Sequence, residues 1–131
     1  MVVNCYSNHV DRNKQISSHF KVKEFACNDG TDPVFVSQVL IEILEAIRSH
    51  FGKPVHVNSG YRTVPYNKKV GGTTHSRHCL GLAADIRITG VKPSDVADYA
   101  RLLMPTFGGV GRYPTFTHVD VDSAIRNWKS S

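Results

Sequence analysis

Between Asp32 and Gly52 the chain carries Val36, Val39, Leu40, Ile43, Leu44, Ile47 and Phe51 at helical spacing, with Glu42, Glu45 and Arg48 turned away from them. An apolar stripe of this kind has to bury against another element, so it predicts an amphipathic helix over about 33–51 that serves as core scaffold. Asp32 is placed to cap it, Pro33 fits the first turn, and Gly52 stops it. A second helix is expected over 93–104, with Val96, Tyr99, Ala100, Leu103 and Met104 on its apolar side. Strand-like runs occupy 54–59, 83–88, 108–113 and 116–121, the last two as a hairpin. In the run 83–88, Ala84, Ile86 and Ile88 share one face while Asp85 and Arg87 share the other. In the run 116–121, Thr117, Val119 and Val121 face the core, and His118 and Asp120 point outward together. The expected fold is α+β, a small antiparallel sheet with helices packed on one face. Residues 1–18 read as an irregular N-terminal arm, 19–26 as a short strand or packed extended stretch, and 28–33 as a turn. The stretches 60–65 and 70–74 read as a loop and a flexible lead-in.

The 131 residues suffice for one domain whose core needs no disulfide staples. The longest apolar run, near Val34–Ile47, is interrupted by Ser37, Gln38, Glu42 and Glu45, so no membrane span is expected. Met1–Lys14 is polar and lacks the apolar stretch of a secretory signal, which predicts a mature N-terminus or a product made in the cytoplasm and delivered by another route. The net charge of +5 suits an anionic partner, but the basic residues are scattered rather than striped, and nucleic acid is not expected. Cys5, Cys27 and Cys79 show no CxxC spacing and read as reduced thiols rather than as a Cys5–Cys27 bridge. Cys79 follows His78, but neighbouring side chains on an extended strand diverge, which removes it from a shared metal site.

The chemistry concentrates in His78, Asp85 and His118. Two imidazoles and one carboxylate suit Zn²⁺, and three protein ligands leave the fourth position open, as a catalytic site requires. Taken singly, each residue has an ordinary alternative: a histidine hydrogen-bonded at the surface, or an aspartate paired with Arg87. Spacing alone leaves both readings standing, although aspartate is depleted from strands and needs a reason to sit between Ala84 and Ile86.

The blocks around these residues carry more. Ser76-x-His78-x-x-Gly81-x-Ala83-x-Asp85, preceded by Ser59-Gly60-Tyr61-Arg62-Thr63, Asn67 and Val70-Gly71-Gly72, resembles the zinc D-alanyl-D-alanine carboxypeptidase family. Gly108–Tyr113 and Phe116–Val121 fit the same family, which belongs to a superfamily with lysostaphin-type enzymes and the hedgehog signalling domain. The ending from Phe116 to Trp128 is similar to its peptidoglycan-hydrolase branch, which includes phage endolysins and murein endopeptidases. The resemblance runs from about His19 to Trp128. It implies a hedgehog/DD-peptidase-like fold, a single zinc peptidase domain over 1–131, and one Zn²⁺ per chain held by His78, Asp85 and His118. The ion would polarise the scissile carbonyl and acidify its bound water toward a pKa of ~7. The resemblance also implicates Arg62 in binding a substrate carboxylate or the developing oxyanion, with a structural pairing as its alternative. Ser76 is expected to touch substrate or hold its loop, and Asn58 and Asn67 to serve as turn residues.

Two positions depart from the family pattern. Relatives carry an acid three residues before the last ligand, where this chain has Thr115, which cannot take a proton from water at neutral pH. Asp120 is the first substitute, either as base or by orienting a liganding imidazole, and His75 is the other acid/base candidate. Asp122 stands where relatives of this ending often have arginine, which bears on substrate recognition. His9, His19, His50 and His56 match no motif. The expected function is hydrolysis of peptidoglycan stem peptides or cross-links next to a D-amino acid by a monomer acting at the bacterial cell wall, as a phage or prophage lysin would. A cytosolic D-Ala-D-Ala dipeptidase is a further enzyme reading. The rival from another class is a zinc-binding interaction module of the same fold without catalysis.

Overall fold

A computed structural model describes residues 1–130. The apolar stripe does form a helix, but it begins later than the hydrophobic spacing implies. Pro33–Ser37 is a strand, β2, and the helix α2 runs Gln38–Phe51. The run Val34-Phe35-Val36 is β-branched and aromatic, and it pairs antiparallel with β1, Val3–Ser7, with Cys5 opposite Phe35. Residues 1–18 are therefore not an irregular arm throughout: they supply β1 and a short helix, α1, over Asn8–Asp11. Asp32 serves that helix instead of α2. Its carboxylate accepts from Ser7 Oγ and the His9 amide, both at 2.8 Å. The cap of α2 is Ser37, whose buried hydroxyl accepts from the Leu40 amide at 3.3 Å. Gly52 ends the helix in the left-handed conformation, as expected.

Residues 22–25 form a 3-10 turn rather than a strand, with an isolated bridge between Gln15 and Lys21. Four further strands and two helices follow in order: β3 at His56–Ser59, α3 at Val64–Lys69, β4 at Ala83–Arg87, α4 at Pro93–Leu103, β5 at Gly109–Arg112 and β6 at Thr117–Asp120. A last strand, β7 at Arg126–Lys129, was not expected. The main sheet has the order β3-β4-β6-β5-β7; every pairing is antiparallel except β5 with β7. Arg101 secures this parallel edge, donating to the carbonyls of Met104, Phe107 and Arg126.

The core lies on one side of this sheet. Leu40, Leu44 and Ile47 of α2 meet Val96, Ala97 and Ala100 of α4 over Ala84, Ile86, Val110 and Val119. Each large apolar side chain buried there contributes about 1.5–3 kcal/mol. The alternation of β4 and β6 then turns Asp85, His118 and Asp120 to the opposite face, and the register sets Asp85 directly across from His118. The three cysteine thiols are free. No helix among the described residues is long and apolar enough to cross a membrane.

The position of the α2 cap is testable. Ser37→Ala leaves the Leu40 amide without its acceptor in a buried setting and is expected to destabilise the fold by about 1 kcal/mol, measured as a lower midpoint in urea at unchanged slope.

Candidate metal centre

On the face opposite the core, His78, Asp85 and His118 come together from three places in the chain. His78 lies on a 3-10 turn, Arg77–Leu80, whose entry is capped by Ser76: its hydroxyl accepts from the His78 amide at 3.3 Å. Asp85 is central in β4 and His118 in β6. One donor atom from each residue lies within 4.8 Å of the other two. Asp85 Oδ1 is 3.3 Å from His78 Nε2 and 3.0 Å from His118 Nδ1. Two ligands at 2.0–2.1 Å on a tetrahedral ion stand about 3.3 Å apart, so these edges fit Zn²⁺.

The remaining ring nitrogens explain which atoms face inward. His78 Nδ1 lies 2.8 Å from the Gly60 carbonyl, and a carbonyl only accepts, so Nδ1 carries the hydrogen and Nε2 keeps its lone pair. His118 Nε2 lies 2.8 Å from Asp120 Oδ2, which leaves Nδ1 for the cluster in the same way. Each imidazole is thus oriented through its far nitrogen, as liganding histidines are.

Asp120 is wholly buried behind His118. Its Oδ2 faces His118, and its Oδ1 accepts from the Gly109 amide, the Asp122 amide and Arg126 Nη2. Space for this packing comes from β5. Gly109 and Gly111 present no side chain to the site face, and a Cβ on Gly111 would sit 2.5 Å from the Trp128 ring. Arg126 pairs in register with Gly109 and Trp128 with Gly111, so the edge strand β7 lays both side chains over the glycines. The Trp128 ring is 4.9 Å from the His118 ring and donates from Nε1 to the Tyr113 hydroxyl at 2.9 Å.

These contacts set the charges. Burial disfavours ionised Asp85, but hydrogen bonds from His118 and His78 outweigh it and hold its carboxyl well below the usual carboxylate range. Burial opposes Asp120 too, yet His118 and Arg126 bring it down to about 2. The imidazole of His118 loses solvation, and the two aspartates it bridges still raise its pKa above the ordinary value.

The cleft above the cluster has a volume of about 530 Å³, and its walls include Arg62, Ser76, Arg77, Tyr113, Arg126 and Trp128. Arg62 reaches the cluster from the cleft wall: Nη2 is 3.3 Å from Asp85 Oδ2, Nε donates to Ser59 and Nη1 to Asn67. Asn67 is more than a turn residue, since it also donates to the Thr73 carbonyl at 2.9 Å. His75 is exposed, holds a left-handed backbone at φ 64°, and is not brought to the cleft wall. Thr115 is exposed in the turn between β5 and β6. The parts played by Arg126, Trp128, Tyr113 and the Gly60 carbonyl are not evident from the sequence; the alternation of Arg126 and Trp128 in the last block is the one signal it carries.

Known proteins resemble this chain over much of its length. The pattern of the family described as Peptidase M15 matches residues 18–120. The zinc D-Ala-D-Ala carboxypeptidase of Streptomyces albus G is 50% identical over 44 residues, 33% of this chain and 17% of that protein. The peptidoglycan L,D-endopeptidase MepK of Escherichia coli K12 is 37% identical over 83 residues, 58% of this chain and 44% of that protein. A probable peptidoglycan L,D-endopeptidase MepK of Haemophilus influenzae is 37% identical over 81 residues, 57% of this chain and 42% of that protein. The chain thus spans less than half the length of these relatives.

Two outcomes follow from the arrangement around His118. Asp120→Asn weakens the anchor of its imidazole and is expected to lower zinc affinity about 10–100-fold in competition with a chelating dye. In the metal-free protein His118 keeps its proton above the ordinary pKa of about 6.5, and a bound cation has to displace it. Zinc affinity is therefore expected to rise as pH rises through that raised pKa. Calorimetry at pH 7 in buffers of different ionisation enthalpy is expected to show net proton release.

Proposed function

The chain belongs to the peptidase M15 family, and we propose that it is a zinc peptidase hydrolysing peptidoglycan stem peptides or cross-links at a bond next to a D-amino acid. The observation that carries the reading is the trio of inward donor atoms on His78, Asp85 and His118, each imidazole pinned through its outer nitrogen, at the floor of an arginine-lined cleft. The names of the relatives support the substrate class: two are peptidoglycan endopeptidases and one is a D-Ala-D-Ala carboxypeptidase.

In this reading His78 Nε2, Asp85 and His118 Nδ1 hold one zinc ion per chain. When bound, the ion supplies Lewis acidity toward the scissile carbonyl and its attacking water. The protein's part is to fix the ligands and receive the peptide. Asp120 acts through His118 as a positioning residue, because it is wholly buried and both of its oxygens are engaged. Arg62 stabilises the ionised form of Asp85 and, with three of its five N–H donors engaged, keeps two for a substrate oxygen. Ser76 holds the turn that presents His78. Action at the bacterial cell wall follows from the substrate.

Incubation of the zinc-loaded protein with defined muropeptides, followed by mass spectrometry, tests the reading. Cleavage is expected, and His118→Ala is expected to abolish it. One tightly bound zinc with no cleavage of any muropeptide would instead identify a zinc-binding interaction module.

A further inference from the structure

The cleft wall holds three arginines, and they are not equivalent. Arg62 has all three nitrogens engaged, with Ser59, Asn67 and Asp85. Arg126 is committed to Asp120 and lies over the Trp128 ring at 5.6 Å. Arg77 is tied at one point only. Its Nε donates to Asp122 Oδ2 at 2.9 Å, while Nη1 and Nη2 have no hydrogen-bond partner among the described residues. About 31% of the side chain is exposed, and it lines the same cleft as its neighbour His78.

We propose that Arg77 is a specificity-determining residue that takes a substrate carboxylate on its free Nη1/Nη2 edge, aimed by Asp122. The aim is rigid at the Asp122 end. Asp122 Oδ1 accepts from the Ser123 amide at 2.8 Å, its own amide donates to Asp120 Oδ1 at 3.2 Å, and its carbonyl accepts from the Gly108 amide at 2.9 Å. With Nε held in this way, the guanidinium plane is set and its outer edge presents two parallel N–H groups, the geometry that receives a carboxylate bidentately. The charge is complementary as well. The arginines at 62, 77 and 126 face the aspartates at 85, 120 and 122, and a bound divalent cation leaves a surplus of two positive charges. Asp122, the departure from the family's usual arginine, thereby acquires a role: it directs the basic group that the neighbouring turn supplies.

The proposal rests on the peptidase reading, and its test separates the two. Three stem peptides are compared: one with all carboxylates free, one amidated at the C-terminus, and one amidated at the side carboxylate beside the scissile bond. Binding to the zinc-loaded protein is measured by calorimetry, and cleavage by mass spectrometry. The wild-type protein is expected to bind the fully acidic peptide at least tenfold more tightly than one of the amides, and the arm that loses affinity identifies the carboxylate. Arg77→Gln is expected to reduce that preference to less than threefold. Asp122→Asn, which frees the guanidinium without removing it, is expected to reduce the preference only in part. Zinc content and melting temperature of each variant report whether the His78 turn has survived. If Arg77→Gln fails to fold, the Asp122→Asn preference decides. An Arg77→Gln protein that keeps the preference, a folded protein in which all three peptides weaken equally, or a wild-type protein with no preference overturns the proposal. Absence of cleavage together with a carboxylate preference lost in Arg77→Gln would overturn the peptidase reading alone.

Discussion

The pairing of Asp85 with His118 across β4 and β6 is the constraint around which the remaining parts of the centre are arranged. A carboxylate and an imidazole on facing positions of neighbouring strands are close by register alone, without help from loops. Burying them is costly unless each retains partners, and the structure supplies one to every outward atom. Asp85 Oδ2 meets Arg62, His118 Nε2 meets Asp120, and Asp120 in turn meets Arg126 and two backbone amides. The remaining donor atoms point inward, toward a single volume. In the metal-free protein Asp85 Oδ1 and His118 Nδ1 share a hydrogen bond there, and a cation of the right size would take its place.

This arrangement also decides which acids are available for chemistry. The cleft contains two aspartates, and neither is free: one belongs to the cluster, and the other is closed off behind it. Asp120 therefore contributes through the imidazole it orients. With acidic groups spent inside the network, the exposed walls are left basic and aromatic, which suits a peptide that carries its own carboxylates.

Much of this was legible in the chain, and the limits have physical causes. The two strand faces bearing Asp85 and His118 follow from period-two alternation, and α2 and α4 follow from helical spacing, because both signals are local. The start of α2 was misplaced since Val36 fits a helical stripe and a strand equally well. Only β1, about thirty residues earlier, decides between them by pairing with it. The strand β7 escaped notice for a related reason: four residues with alternating exposure are too few to stand out, and their partner is a glycine-bearing strand. Asp120 was placed on the correct face, but its two roles, base or orienter of the imidazole, stayed open, because its burial depends on Arg126 and Trp128 arriving from that unnoticed edge.

The parallel edge joins stability to chemistry in one element. A sheet ending at β5 would expose a strand whose glycines offer no side chains to blunt it. β7 covers that edge through its main-chain pairing, and through Arg126 and Trp128 it also closes the volume the glycines leave open. The absence of side chains at Gly109 and Gly111 is thus what lets the aspartate, the arginine and the indole pack in one layer behind His118. Side chains on β5 would push β7 away, and Asp120 would then face solvent instead of the imidazole. The precision of the centre is therefore set as much by two residues without side chains as by the three residues with donor atoms.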